Sequence, residues 1–170
     1  MHIAASVGSE EIIELLVEAV ANWPSTSPSS AEDAVTLYCN QPTQSRAKQY
    51  PLHLAASKGH EQAVMRLICH GAKASTRNAF GQTALHRAAC AGKPQVIAVL
   101  MESDPSTVNW KDFSEDTNTA LHLAAEDGHI AVVRLLVELA HADISVQNAQ
   151  GKTPAQVAQN QEIRDYLNSQ

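Results

Sequence analysis

The residues best suited to chemistry in this 170-residue chain are eight histidines and three cysteines. A zinc site would need several of them at short ligand spacings. No C-x-x-C occurs, and no histidine pair has a ligand spacing with a carboxylate or cysteine beside it. Cys90 follows His86 by four residues, so on a helix the two could share one face as nucleophile and base. His86, however, recurs as His53 and His122 at one fixed place in a longer pattern, which assigns it to structure. There is no glycine-rich phosphate loop, and the acidic residues form no paired acid–base arrangement. The expectation is a protein that is not an enzyme and needs no cofactor or metal.

Bulk composition narrows the partners. Lys and Arg total 12 against 18 Asp and Glu, a net charge of -6. That balance disfavours nucleic acid and mildly favours a basic protein. Cys39, Cys69 and Cys90 are odd in number and widely spaced, so no disulfide framework is expected. The longest apolar run, 12–21, is broken by Glu14 and Glu18 and is too short for a bilayer. The start, Met1-His2-Ile3, has no basic n-region. A cytoplasmic or nuclear location and no membrane partner are the expectations. Aromatics are 4% while alanines number 27, which suits closely packed helices.

The elements that would position these residues repeat. YPLHLAASKGH begins at Tyr50, TALHRAACAGK at Thr83, TALHLAAEDGH at Thr119 and TPAQVAQNQE at Thr153. Residues 1–8 carry the same string without its first two positions. Thr83 and Thr119 suit N-caps, and Pro51 and Pro154 suit a first helical turn. The Ala55-Ala56, Ala88-Ala89 and Ala124-Ala125 pairs let neighbouring helices approach. Gly59, Gly92 and Gly128 suit left-handed helix ends. Residues 130–137 have apolar spacing for a second helix.

This template resembles the ankyrin repeat. The resemblance implies an all-α solenoid of helix pairs with short β-turn fingers, its histidines bonding backbone between units. It divides a single domain, 1–170, into units of about 1–21, 45–77, 78–111, 112–147 and 148–170, with a loop insertion at 22–44. The insertion is rich in Ser, Pro, Thr and Gln and reads as mostly mobile, with a possible helical turn over 31–38. Between Thr83 and Thr119 lie three extra residues relative to the preceding unit, two of them near 112–116, so that finger should project further. Met1 falls inside the template, so the N-terminal face of the first unit should be exposed and apolar. The last helix, with Gln161, Glu162, Arg164 and Asp165, reads as a polar cap.

Such a stack presents a concave surface. Its variable positions include Lys58, Arg87, Glu126 and Asp127 on first helices, and Arg77, Phe80, Trp110, Lys111, Phe113, Glu115, Asp116 and Gln150 on fingers. Aromatics and arginines are common interface anchors. Lys58, Arg77 and Arg87 lie in the middle, whereas Asp112, Glu115, Asp116, Glu126 and Asp127 gather later, where a basic partner would be steered.

Within the family, HIAASVGSEEII, PLHLAASKGHE, ALHRAACAGK, TNTALHLAAED and GKTPAQVA occur in an order similar to the last five repeats of gankyrin-type proteins. Residues 108–112 are more like fungal members. The resemblance implies an assembly chaperone of the 26S proteasome regulatory particle that grips the C-terminal domain of a base ATPase subunit and is itself monomeric. Gankyrin-type proteins have two more N-terminal repeats and no 22–44 insertion. The L-x-C-x-E motif of animal members aligns with 123–127, which lack the cysteine, so a retinoblastoma-type partner is not expected. The alternative is a generic ankyrin adaptor for an unrelated protein.

Overall fold

The computed structural model describes residues 1–22 and 31–170. Helix formation follows the repeated template. The small, apolar segment at each template position forms a short inner helix: α1 (His2–Val7), α4 (Pro51–Lys58), α6 (Ala84–Cys90), α8 (Ala120–Glu126) and α10 (Pro154–Val157). Each is followed by an outer helix: α2 (Glu10–Ala21), α5 (Glu61–Cys69), α7 (Pro94–Ser103), α9 (Ile130–Glu138) and α11 (Gln161–Asn168). A further helix, α3 (Ala31–Cys39), lies between the first two pairs in sequence. Inner helices pack on inner helices in chain order, and outer on outer, giving a two-layer solenoid. Among the described residues there is no strand, only an isolated antiparallel bridge between Lys111 and Thr119.

Alanine makes the inner layer close. The three Ala-Ala pairs of α4, α6 and α8 are fully buried, with Leu52, Leu85 and Leu121 beside them. Val64, Ile97 and Val133 fill the space between inner and outer layers as one continuous core. The buried histidines stitch the units together. His86 Nδ1 accepts from the Thr83 backbone N–H at 3.2 Å. Its Nε2–H therefore donates across to the Trp110 carbonyl at 2.8 Å. His122 repeats this with Thr119 and with the Lys152 carbonyl at 3.0 Å.

His53 departs from the pattern. Its Nε2 reaches the Gln82 carbonyl at 2.8 Å, but its buried Nδ1 has no partner. The N-cap there is Tyr50, whose side chain makes no capping bond. Tyr50→Thr should supply both the cap and a donor for that nitrogen. A gain of about 1 kcal/mol is expected, read as a higher urea midpoint at unchanged slope.

Within the segment 22–44, expected to be a mostly mobile loop with a possible helical turn over 31–38, a helix forms. Helix α3 spans Ala31–Cys39 and buries Val35 and Cys39, four residues apart, as it packs on α2. Asn40 then donates to the Thr36 and Gly71 carbonyls at 2.8 and 2.7 Å and accepts from the Lys73 N–H at 2.9 Å. Asn109 makes the same bond to the Asp143 N–H, so the insertion rejoins the repeat at Asn40. The first part of the insertion, 23–30, lies outside the described residues.

Each loop joining the units closes with one backbone bond out and one return bond to a side-chain oxygen. Asn78 and Asn148 donate to Gln82 and Lys152, while Thr43 and Asp112 reach Gln49 and Asn118, two residues further. The loop at 112–118 is long, as its extra residues implied. The equally long 43–49 loop was not anticipated. Where the short loops place Gly81 and Gly151 at positive φ, the long ones place Lys48 and Thr117, at φ 46° and 50°. A β-branched residue is strained there. Thr117→Gly should raise stability by about 1 kcal/mol, the left-handed penalty for a side chain less some unfolded-state entropy, as measured by thermal melting.

Candidate functional site

The residues expected from the sequence to make contacts lie on inner helices and joining loops and fall into three groups. The first is a joint between two loops. The Arg77 guanidinium lies 4.4 Å from the Trp110 ring centroid and 5.0 Å from that of Phe113. One of its nitrogens, Nη1, donates to the Gly81 and Lys111 carbonyls at 2.7 and 2.8 Å. Phe113 lies so close over Gly81 that a Cβ there has no room. Arg77 is therefore engaged inside the chain, and Trp110 is only half-exposed. Phe113 and Phe80 remain 68% and 53% exposed. The loops also bond edge to edge, Phe113 N–H to Phe80 O at 2.7 Å and Ala149 N–H to Asp116 O at 2.7 Å. The Phe113 ring is thus held between Arg77 and Gly81.

The second group is acidic. Glu115, Glu126 and Asp127 are exposed. Asp116 accepts from Gln150 Nε2, and the Lys111 ammonium donates to the Gln147 carbonyl at 2.7 Å. Asp112 was expected to join this surface but does not. It is buried, and its carboxylate accepts from Ser114 Oγ at 2.6 Å and the Asn118 N–H at 2.9 Å. Those bonds shape its own loop. The third group is basic: Lys58 is exposed and Arg87 is half-buried, one atom of its side chain, Nε, lying buried without a hydrogen-bond partner.

The Cys90–His86 pair does not form a nucleophile and base. Both His86 nitrogens are committed, to Thr83 and to Trp110, and burial lowers its pKa to about 4. Burial raises the Cys90 thiol pKa, and a hydrogen bond to Asp127 adds to the shift. A thiol held protonated is a poor nucleophile. Among the described residues no group of three or more His, Cys, Asp or Glu could hold a metal ion, and no helix is long and apolar enough to cross a membrane.

The stack of helix pairs, linked by buried histidines, defines a protein-interaction scaffold. Models of ankyrin repeats match residues 1–112 (three copies) and 107–158 (many copies), and the chain belongs to the ankyrin-repeat family. Over 166 residues, 98% of the chain, it is 28% identical to the Probable 26S proteasome regulatory subunit p28 of Saccharomyces cerevisiae, covering 65% of that protein. It is 40% identical over 113 residues, 66% of the chain, to the Transient receptor potential cation channel subfamily A member 1 homolog of Caenorhabditis elegans, covering 9% of it. Human Inversin is 28% identical, matching 85% of the chain and 16% of its own length. The chain thus spans less than two thirds of the length of each of these relatives.

Proposed function

We propose that this scaffold is an assembly chaperone of the 26S proteasome regulatory particle, binding the C-terminal domain of a base ATPase subunit. The observation that carries the reading is the similarity to the yeast proteasome regulatory subunit along 98% of the chain. The exposed carboxylates Glu115, Glu126 and Asp127 and the exposed rings of Phe80 and Phe113 support it. Apolar anchors supply affinity, and the carboxylates steer a basic domain onto the same face. Binding alone does the work: an occupied ATPase domain is shielded from premature contacts until assembly is complete. The proposed location is cytoplasmic or nuclear, and the proposed state is a monomer.

Capture of proteasomal ATPase subunits by the full chain from a lysate tests this directly. Glu126→Lys with Asp127→Lys should weaken that capture by about tenfold or more, because both replaced charges then repel a basic partner. Capture of no ATPase subunit overturns the proposal. The 40% identity to a channel homologue favours a second reading, an adaptor for an unrelated protein. Under that reading the same double variant leaves the complex intact.

A further inference from the structure

In α4, α6, α8 and α10 the residue one beyond the place marked by His53, His86 and His122 is Leu54, Arg87, Leu123 and Val157. All four are half-buried. These helices pack on one another in chain order, so the position forms a row. Leucine and valine suit such a row, because burying their side chains is favourable. Arg87 puts a cation into it.

Nothing inside the chain uses that cation. Other arginines find partners. Arg66 Nε lies 3.4 Å from the Glu10 carboxylate. Arg77 is held by two carbonyls and two rings. Arg134 stands 4.6 Å from the Tyr166 ring centroid, and Arg164 donates to the Ala158 carbonyl at 2.9 Å. Arg87 makes no hydrogen bond and no ion pair among the described residues, and its Nε is shut away from water. Its charge bears on the His53 ring and the Cys90 thiol, which are both neutral at pH 7 and cannot offset it. Asp127 takes a hydrogen bond from that thiol and forms no ion pair with Arg87. A donor left unpaired and dry costs free energy that an oxygen brought by a partner recovers. Turning outward to meet that oxygen breaks no hydrogen bond of Nε.

We infer that Arg87 anchors a carboxylate of the bound protein, an Asp or Glu side chain met by the guanidinium's fork of N–H donors. The inference rests on the proposed reading of the inner helices and loops as the seat of a protein partner, and it adds a demand on that partner. The partner must bring an acid to α6 and basic residues to Glu126 and Asp127 on α8, the next inner helix. A uniformly basic domain would set like charge against Arg87.

Arg87→Leu separates a role in binding from a role in the fold, since it completes the apolar row and deletes the charge. The urea midpoint of the free chain should stay level or rise. A lower midpoint overturns the inference, because the stack itself then uses the guanidinium. Capture of proteasomal ATPase subunits from a lysate by the full chain carrying Arg87→Leu should fall by about tenfold or more. Arg87→Glu should weaken capture further, by repelling the partner's carboxylate. Capture by Arg87→Leu equal to that of the unaltered chain overturns the inference and leaves the proposed function standing. So does capture by Arg87→Glu at or above the level of Arg87→Leu. Capture by none of the three chains overturns the proposed function, and the inference with it.

Discussion

Acidification from pH 7 to pH 4.5 should remove several kcal/mol of folding stability, on the order of 5, well before the fold's carboxylates are fully protonated. The cause is two buried histidines. Burial lowers the pKa of His53 and of His86 to about 4, against an ordinary value of 6.5. Each ring donates through Nε2 to a carbonyl of the next unit, while the His86 Nδ1 accepts from the Thr83 N–H and the His53 Nδ1 is buried without a partner, so an added proton breaks the first bond and finds no acceptor at the second. Between pH 6.5 and 4 the unfolded chain binds protons that the native chain refuses. Stability therefore rises with pH across that window and is flat above it. Each histidine contributes a slope of about 1.4 kcal/mol per pH unit while the difference lasts. Urea titrations at half-unit steps measure it. His86→Gln should be less stable at pH 7 but lose stability less steeply on acidification, by one histidine's slope. A midpoint that does not move between pH 7 and pH 5 would show that the rings are not held neutral.

The histidines were legible because their period exposed them. A residue that returns with Ala-Ala behind it and glycine after it serves the stack, and the resemblance of that template to the ankyrin repeat implied the helical repeat architecture. What stayed hidden was whatever the template could not index. Helix α3 was legible only as a possible turn over 31–38; that it docks through Val35 and Cys39, four residues apart, was masked by the Ser- and Gln-rich composition around it. The long 43–49 loop sat at the edge of the same insertion, where no preceding unit gave a length to compare. Asp112 looked like surface charge because a sequence shows the carboxylate and not the Ser114 and Asn118 donors that claim it. Arg77 looked free because Trp110 and Phe113, which hold it, are about one repeat away. Local spacing reads the elements; pairings between units appear only once the units are stacked.

That distinction decides the expected result for Leu121→Ala, a loss of about 2–5 kcal/mol. Leu121 is 1% exposed on α8, which packs on α6, α9 and α10. Truncation leaves a cavity where helix backbones are already drawn close by Ala124 and Ala125, so relaxation can close little of it. In a solenoid the damage is local to the junctions on either side. The C-terminal pairs, α8 to α11, should therefore lose protection against amide exchange first, while α4 to α7 keep theirs. Leu139, 60% exposed after α9, provides the contrast. Its replacement by alanine should change stability by no more than about 0.5 kcal/mol, as for ordinary surface positions. Equal urea midpoints for the two variants would remove Leu121 from the core. A midpoint shift confined to Leu121→Ala, with exchange rising from α8 onward, would show that the last two units fold as one block held to the stack through that side chain.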